Sequence, residues 1–599
     1  MKYTFSYKHL IVFLCFTLVI LRFLSDPVNM LTWDVFGYYL YLPANFIYSD
    51  LTLQSQDWLN HLLEVYEPTS TLYQAVKIEN GEWVMKYSMG MSLLYAPFFF
   101  IAHLIAEPLG YPADGLSLPY QYAITIGGLI YAVIGLIYFS KILRCFFNQY
   151  VSGILLLIIF FGTNYFQLTI FEGTLLSHNF LFMLYAILIY FTIKWYNEYT
   201  FKNIIIIGLT IGLITLIRPS EAICILIPIL WSNAKDDYLK NKWNLIKTYY
   251  LQLIVAGFCV FIMLLPQLLY WKSVTGNYLF YSYTNAGEGF DFLSPHTSNF
   301  LFSFRKGWLV YTPIILFAFI GLYHLYKKNK AICFSITTFI IVDIYLCSSW
   351  TNWWYAGGSF SSRSMVPAYV LLAIPLGFFI EKVNETKRSK IIFYSIGIFF
   401  ILLNLFQTWQ FENNIISKER MTRAYYFSIF GKTHVEPADE KLLLVDRTVD
   451  AVEIFKNEKE YKGKILYNNT FDELGNKKVF ELDGVNCFSP GVDIKYRDIT
   501  QKDHAWIKVS AKVFIPADYD EELPVMVATF HYKGEVYKYY GYELKAGAIK
   551  LNTWNTIEFD YLTPEVRSLD DNLKVYLWHR GQKRILLDDL KVLAFEHND

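Results

Sequence analysis

The chain has 599 residues, 54% hydrophobic and 19% aromatic, with only 17% charged. That balance excludes an ordinary soluble enzyme and points to a polytopic membrane protein. Its 52 Lys and Arg offset its 52 Asp and Glu, so no net positive field argues for a nucleic-acid partner, although a basic-looped first part and a more acidic C-terminal part share the charge unevenly.

In chain order, a basic start, Met1 to His9, leads into an apolar run from Leu10 to Leu24. No small-x-small cleavage site follows in Ser25-Asp26-Pro27, which predicts an uncleaved first span near 9–25. Asp34 comes next, in Trp33-Asp34-Val35-Phe36-Gly37, at the head of a long aromatic-rich loop. Further apolar segments fall near 120–143, 151–170, 174–196, 203–217, 220–232, 248–271, 308–326, 331–349, 364–381 and 391–410, about eleven spans in all, two of them short. Basic clusters occupy every second loop, among them Lys141 with Arg144, Lys235 to Lys247 and Lys382 to Lys390, so the positive-inside rule puts the N-terminus in the cytoplasm. Ser92 to Ala106 would reverse every later loop if it crossed. It is read as an interfacial helix, a re-entrant hairpin being the alternative. By this parity residues 26–119 form an outer loop with juxtamembrane helices, and everything after about Glu412 is extracytoplasmic. The seven cysteines include no Cys-x-x-Cys pair, and neither a disulfide framework nor a zinc site is expected.

On the outer side polar residues recur in a pattern: Asp34; Lys86-Tyr87 before an apolar helix; Glu172-Gly173-Thr174 with His178 a turn later; Arg218-Pro219; Arg305 in Phe304-Arg305-Lys306-Gly307-Trp308; and the stretch from Trp353-Trp354 to Arg363. A carboxylate is costly at bilayer depth, so one at the rim is a candidate functional group, the plainer alternative being an interfacial acid that caps a helix. Single arginines beside a span are ordinarily anchors, and paired tryptophans an ordinary aromatic belt. Several cations converging with a carboxylate suit a phosphate instead, which arginine grips in a fork, while Trp353 and Trp354 stack on a sugar or hold a polyprenyl chain.

The order of these features resembles the GT-C membrane glycosyltransferases, in particular bacterial members of the protein O-mannosyltransferase and aminoarabinose transferase branch. In that superfamily an acid follows the first span, as Asp34 does, and a basic residue beside a proline links the fifth and sixth spans, as Arg218-Pro219 does. The helix before the second span matches more loosely, with Ser88-Met89-Gly90 in place of paired prolines. The resemblance covers roughly the first 410 residues. It implies a multi-pass inner-membrane enzyme that moves a sugar, with inversion, from a polyprenyl-phosphate-linked donor to a glycan, lipid or protein acceptor at the outer face. Asp34 is then the base; Arg363 and Arg218, with Lys86 and Arg305, hold the donor phosphate; Tyr87, His178, Glu172, Trp353 and Trp354 line the substrate and lipid. No cofactor is expected and no metal, because cations already meet the leaving phosphate and no acidic cluster is at hand. A surface-glycan polymerase or ligase and a transporter or flippase of the same lipid are the competing readings; the last predicts acids and broken helices at mid-membrane.

After residues 1–430, the region 431–599 changes character. Alternating runs at Trp506 to Pro516, Val525 to Tyr532, Trp554 to Asp560, Leu573 to Trp578 and Ile585 to Val592, with turn signals at Asn469-Thr470 and Asp483-Gly484, predict an all-β sandwich in the periplasm. Their order looks like the jelly-roll modules that often bind carbohydrate. Tyr539, Tyr540, Tyr542 and Trp578 are placed either to stack on sugar or to fill the core, and Asp588 with Asp589 either to hold a calcium or to make a turn.

Overall fold

The apolar runs of the first part fold as helices, the arrangement that pairs every backbone polar group within one segment when water is excluded. The structure, a computed structural model, describes residues 7–24, 29–79, 81–233, 238–284, 288–355, 357–447, 461–472, 479–544 and 549–597. It divides into two units, Met1–Thr284 with Phe290–Lys441, and Asn285–Gly289 with Leu442–Asp599. Among the described residues of the first unit, six helices are long and apolar enough to cross a membrane: Gly90–Leu109, Leu118–Phe146, Ser177–Glu198, Lys240–Thr275, Lys330–Ser349 and Lys387–Glu412. Gly90–Leu109, expected to lie at the interface, thus has the length and composition to cross. Tyr7–Phe23, Phe201–Ile217 and Tyr369–Val383 fall on other predicted spans. Several helices start where a short polar residue meets the apolar run. The side chains of Asn148, Thr200, Asn329 and Thr386 each accept from the backbone N–H three residues on, meeting one of the donors a helix start leaves open.

Three predicted spans are interrupted. The segment 151–170 becomes Gln149–Phe161 and Tyr165–Ile170. The carbonyls freed at Phe161 and Thr163 both accept from the Asn404 amide at 2.9 Å, so the break stays paired inside the bundle. Helix Phe201–Ile217 stops because Arg218, extended at φ −143°, precedes Pro219, and the segment 220–232 becomes a 3-10 stretch, Pro219–Ile225, and a short helix, Leu226–Leu230. The segment 308–326 divides at Thr312-Pro313 into Trp308–Tyr311 and Leu316–Lys328. A small hairpin, β1 (Ala75–Lys77) with β2 (Trp83–Met85), lies in the first long loop.

The second unit is built of antiparallel strands: β3 (Tyr461–Asn469), β4 (Phe480–Leu482), β5 (Val492–Lys495), β6 (Trp506–Ile515), β7 (Val525–Tyr532), β8 (Glu535–Glu543), β9 (Thr553–Leu562), β10 (Asn572–Trp578) and β11 (Ile585–His597). They form two sheets, ordered β5-β10-β7-β8 and β3-β11-β6-β9 with β4 also on β11. Val509 and Val513 of one sheet and Met526, Phe530, Leu573 and Val575 of the other share one buried core. The predicted turns form by local side-chain bonds: Asn469 Oδ1 accepts from the Phe471 N–H, and Asp483 Oδ1 from those of Val485 and Asn486.

Candidate functional site

Asp34 is set by a strained entry. Trp33 takes a left-handed φ of 51°, rare for a bulky residue, while its N–H donates to the Pro68 carbonyl and its own carbonyl accepts from the Gln74 side chain. Asp34 then opens helix Trp33–Tyr39. Gly37, one turn on, leaves room for Tyr87: a Cβ there would stand 2.5 Å from the Tyr87 ring. Tyr87 therefore lies along the helix and donates its hydroxyl to Asp34 Oδ1 at 2.7 Å, and Tyr73 donates to the same oxygen at 2.8 Å. Oδ2 accepts from Arg363 Nη2 at 3.0 Å, joining residues 329 positions apart.

Arg363 follows a loop whose shape depends on glycine. Gly358 has φ 61°, and a Cβ on it would meet the guanidinium Nη1 at 2.8 Å. The loop is tied down from the broken helix, where the Asn164 amide donates to the Ser362 carbonyl at 3.2 Å and Asn164 Oδ1 accepts from Tyr369 at 2.6 Å. The ion pair keeps limited access to water, 24% of the Asp34 side chain and 11% of Arg363. Burial alone would raise the Asp34 pKa, but Arg363, then Tyr87, Tyr73 and Lys86, outweigh it and hold the carboxyl below its ordinary range. Asp34 is ionised. Burial, and then the Asp34 charge, push the Tyr73 and Tyr87 phenols upward, so both remain proton donors.

Other expected cations gather nearby. Lys86 is buried, with its ammonium 5.4 Å from the Tyr73 ring centroid and 5.0 Å from that of Tyr283. Gly90 packs so closely on the end of helix Phe201–Ile217 that a Cβ would meet the Ile217 nitrogen at 2.5 Å, which brings the Lys86-Tyr87 segment beside Arg218. Arg218 Nη1 lies 3.1 Å from His178 Nδ1 and stands over the Tyr355 ring at 5.9 Å. Asp34, Arg218 and Arg363 all act electrostatically on Tyr38, whose ring meets Tyr87 edge-on at 4.7 Å. Asp34, Tyr87, Lys86, His178, Arg218 and Arg363 therefore converge. Arg305 stacks on Trp354 at 4.0 Å and donates through Nε to the Glu419 carbonyl, and Trp353 is buried edge-on to Trp354. The Glu172 side chain lies outside the described residues.

Three contributors were missed. Tyr73 carries no sequence signal, being one tyrosine of 48. Tyr38 sits in an aromatic run that reads as core. Lys306 stands next to the expected Arg305 in sequence, yet it is the lysine that is buried, donating to the carbonyls of Tyr355 (3.3 Å) and Gly357 (2.9 Å). Burial first, and then the neighbouring Arg363, lower its pKa. The surroundings of Asp34 thus favour an anion, and Asp34 itself is an ionised carboxylate with both oxygens engaged. Among the described residues no group of three His, Cys, Asp or Glu side chains is placed to hold a metal.

In the second unit the expected aromatics divide. Tyr540 stacks on Tyr561 at 5.2 Å and Tyr542 on Phe559 at 5.2 Å, each through one face, Tyr539 and Tyr540 are exposed, and Trp578 stacks on Phe488 at 6.2 Å. Beside Phe488 and Tyr576 a cavity of about 400 Å³ also presents Asp493, His531 and Lys574. Asp589 has φ 50° where the pairing of β11 with β6 shifts register, and it pairs with Lys512 at 2.7 Å. A scan against models of known protein families gives no match to this chain, and neither does a search of curated proteins.

Proposed function

We propose that the first unit is an inverting glycosyltransferase of the GT-C kind, spanning the inner membrane about eleven times, with the Asp34 site at the outer face and a jelly-roll-like second unit in the periplasm. The acceptor hydroxyl attacks the anomeric carbon of a polyprenyl-phosphate-linked sugar. Its oxygen forms the new bond, its proton goes to Asp34, and the electron pair of the breaking carbon–oxygen bond settles on the lipid phosphate, held by Arg363 and Arg218 with Lys86 beside them. The observation that supports this most is the apposition of Asp34 with Arg363, ringed by Lys86, Arg218 and hydroxyl donors.

The test is transfer and binding by purified protein given a polyprenyl-phosphate sugar. Arg363→Lys and Arg218→Lys keep the charge and lose the fork, and each should weaken donor binding by about 1–3 kcal/mol. Unchanged donor affinity in both would return these residues to anchors. A transporter of the same lipid is the second reading, favoured by Glu221 and Asp343, two acids buried among the helices, and by the break at Gly162. Lipid translocation without sugar transfer in the same preparation would select it.

A further inference from the structure

Resting on the glycosyltransferase reading, we propose that Asp34 and Arg363 silence each other until the donor phosphate arrives, so that lipid donor must bind before acceptor. Each oxygen of Asp34 is engaged: Oδ1 by the hydroxyls of Tyr73 and Tyr87, Oδ2 by Arg363. An acceptor hydroxyl aimed at this carboxylate therefore finds both oxygens engaged, one of them by a cation. Arg363, for its part, gives Asp34 a one-point contact through Nη2, while its Nε is buried with no hydrogen-bond partner and its Nη1 lies against the side-chain-free Gly358. A guanidinium held at one point with a buried donor unspent is poorly matched to its carboxylate and well matched to a phosphate, whose oxygens take two parallel N–H bonds.

Exchange of partners follows from that mismatch. A phosphate that takes two guanidinium N–H bonds draws Arg363 off Oδ2, and the neighbouring Lys86 and Arg218 favour an anion there. Asp34 keeps its two tyrosine bonds, which hold its orientation, and gains a vacant oxygen toward the substrate. It also loses its strongest acidifying neighbour, so it becomes a better base only when donor is in place. An acceptor, or water, reaching the site first meets a blocked carboxylate.

The experiment measures binding of undecaprenyl phosphate to the full-length protein in detergent. Asp34→Asn retains a carbonyl oxygen for the tyrosines but offers Arg363 no ion pair, and it should bind the lipid phosphate about ten-fold more tightly than wild type. Asp34→Ser, smaller and also uncharged, serves the same purpose should the Asn variant misfold, and Arg363→Lys should bind more weakly. Loss of an acid that merely props the fold would not strengthen ligand binding. If wild type binds and Arg363→Lys weakens binding while a folded Asp34 variant is unchanged or weaker, the lock is overturned and the lipid-phosphate reading stands. No binding by wild type or by either Asp34 variant overturns both.

Discussion

In the helical unit Asp34, Lys86, Lys306 and Arg363 have lost most of their water, and protein groups meet each of them: two tyrosines and a guanidinium, aromatic rings, a pair of backbone carbonyls. In the β unit Lys495 and Arg497 meet Asp570 with about half of every side chain still in solvent. The physical stakes differ accordingly. Removing an ion from water costs several kcal/mol unless partners replace the solvent, whereas an exposed pair gives roughly 0–1 kcal/mol. Charge retained where it is expensive is informative about function. Charge placed where it is cheap says mainly that the surface is soluble.

That contrast is open to attack at several points. The largest expected effect is on turnover: Asp34→Asn, nearly the same shape but unable to take a proton, should cut sugar transfer by roughly 100-fold or more while the protein still elutes as a single species. Near-normal turnover would make Asp34 one more rim acid, and the helical unit would lose its claim to the chemistry. Next comes Asn404→Leu, similar in size but without donors. The carbonyls of Phe161 and Thr163 would be stranded, and stability should fall by about 1–3 kcal/mol, read as a lower melting temperature in detergent. The smallest effect belongs to the β unit. Lys512→Ala breaks a pair with Asp589 whose side chains are 48% and 40% exposed, and the melting temperature should move by no more than about 2–4 °C. A large drop there would mean that surface pairs also hold this protein together.

Legibility in the sequence follows the same division between local and remote causes. The stretches that became Leu118–Phe146 and Lys387–Glu412 are legible because length and apolarity are enough to specify them. Arg218-Pro219 is legible because a proline restricts the residue before it. The break at Gly162 is not, since its partner Asn404 lies on a distant helix and periodicity carries no trace of the bond. In the β unit the clean alternation of β6 and β10 announces strands, while β8, with Tyr537, Tyr539, Tyr540 and Tyr542 pointing to both faces, hides its pattern. At the site, Asp34 and Arg363 stand out as charges in the wrong solvent. Tyr73 becomes recognisable only when the loop has folded back onto the acid.

The same Asn404 bond has a meaning in time. Asn404 follows Thr163 by 241 residues, which at about 5–20 residues per second puts it roughly 10–50 s behind on the ribosome. For that interval the nascent bundle lacks the amide that donates to these two carbonyls in the folded protein. Arg363 is made before Asn404, yet the broken helix that steadies its loop is sealed only when helix Lys387–Glu412 docks. A chain that stalls short of it would contain both members of the ion pair without the support that holds them together, and assembly of the site would coincide with completion of the bundle.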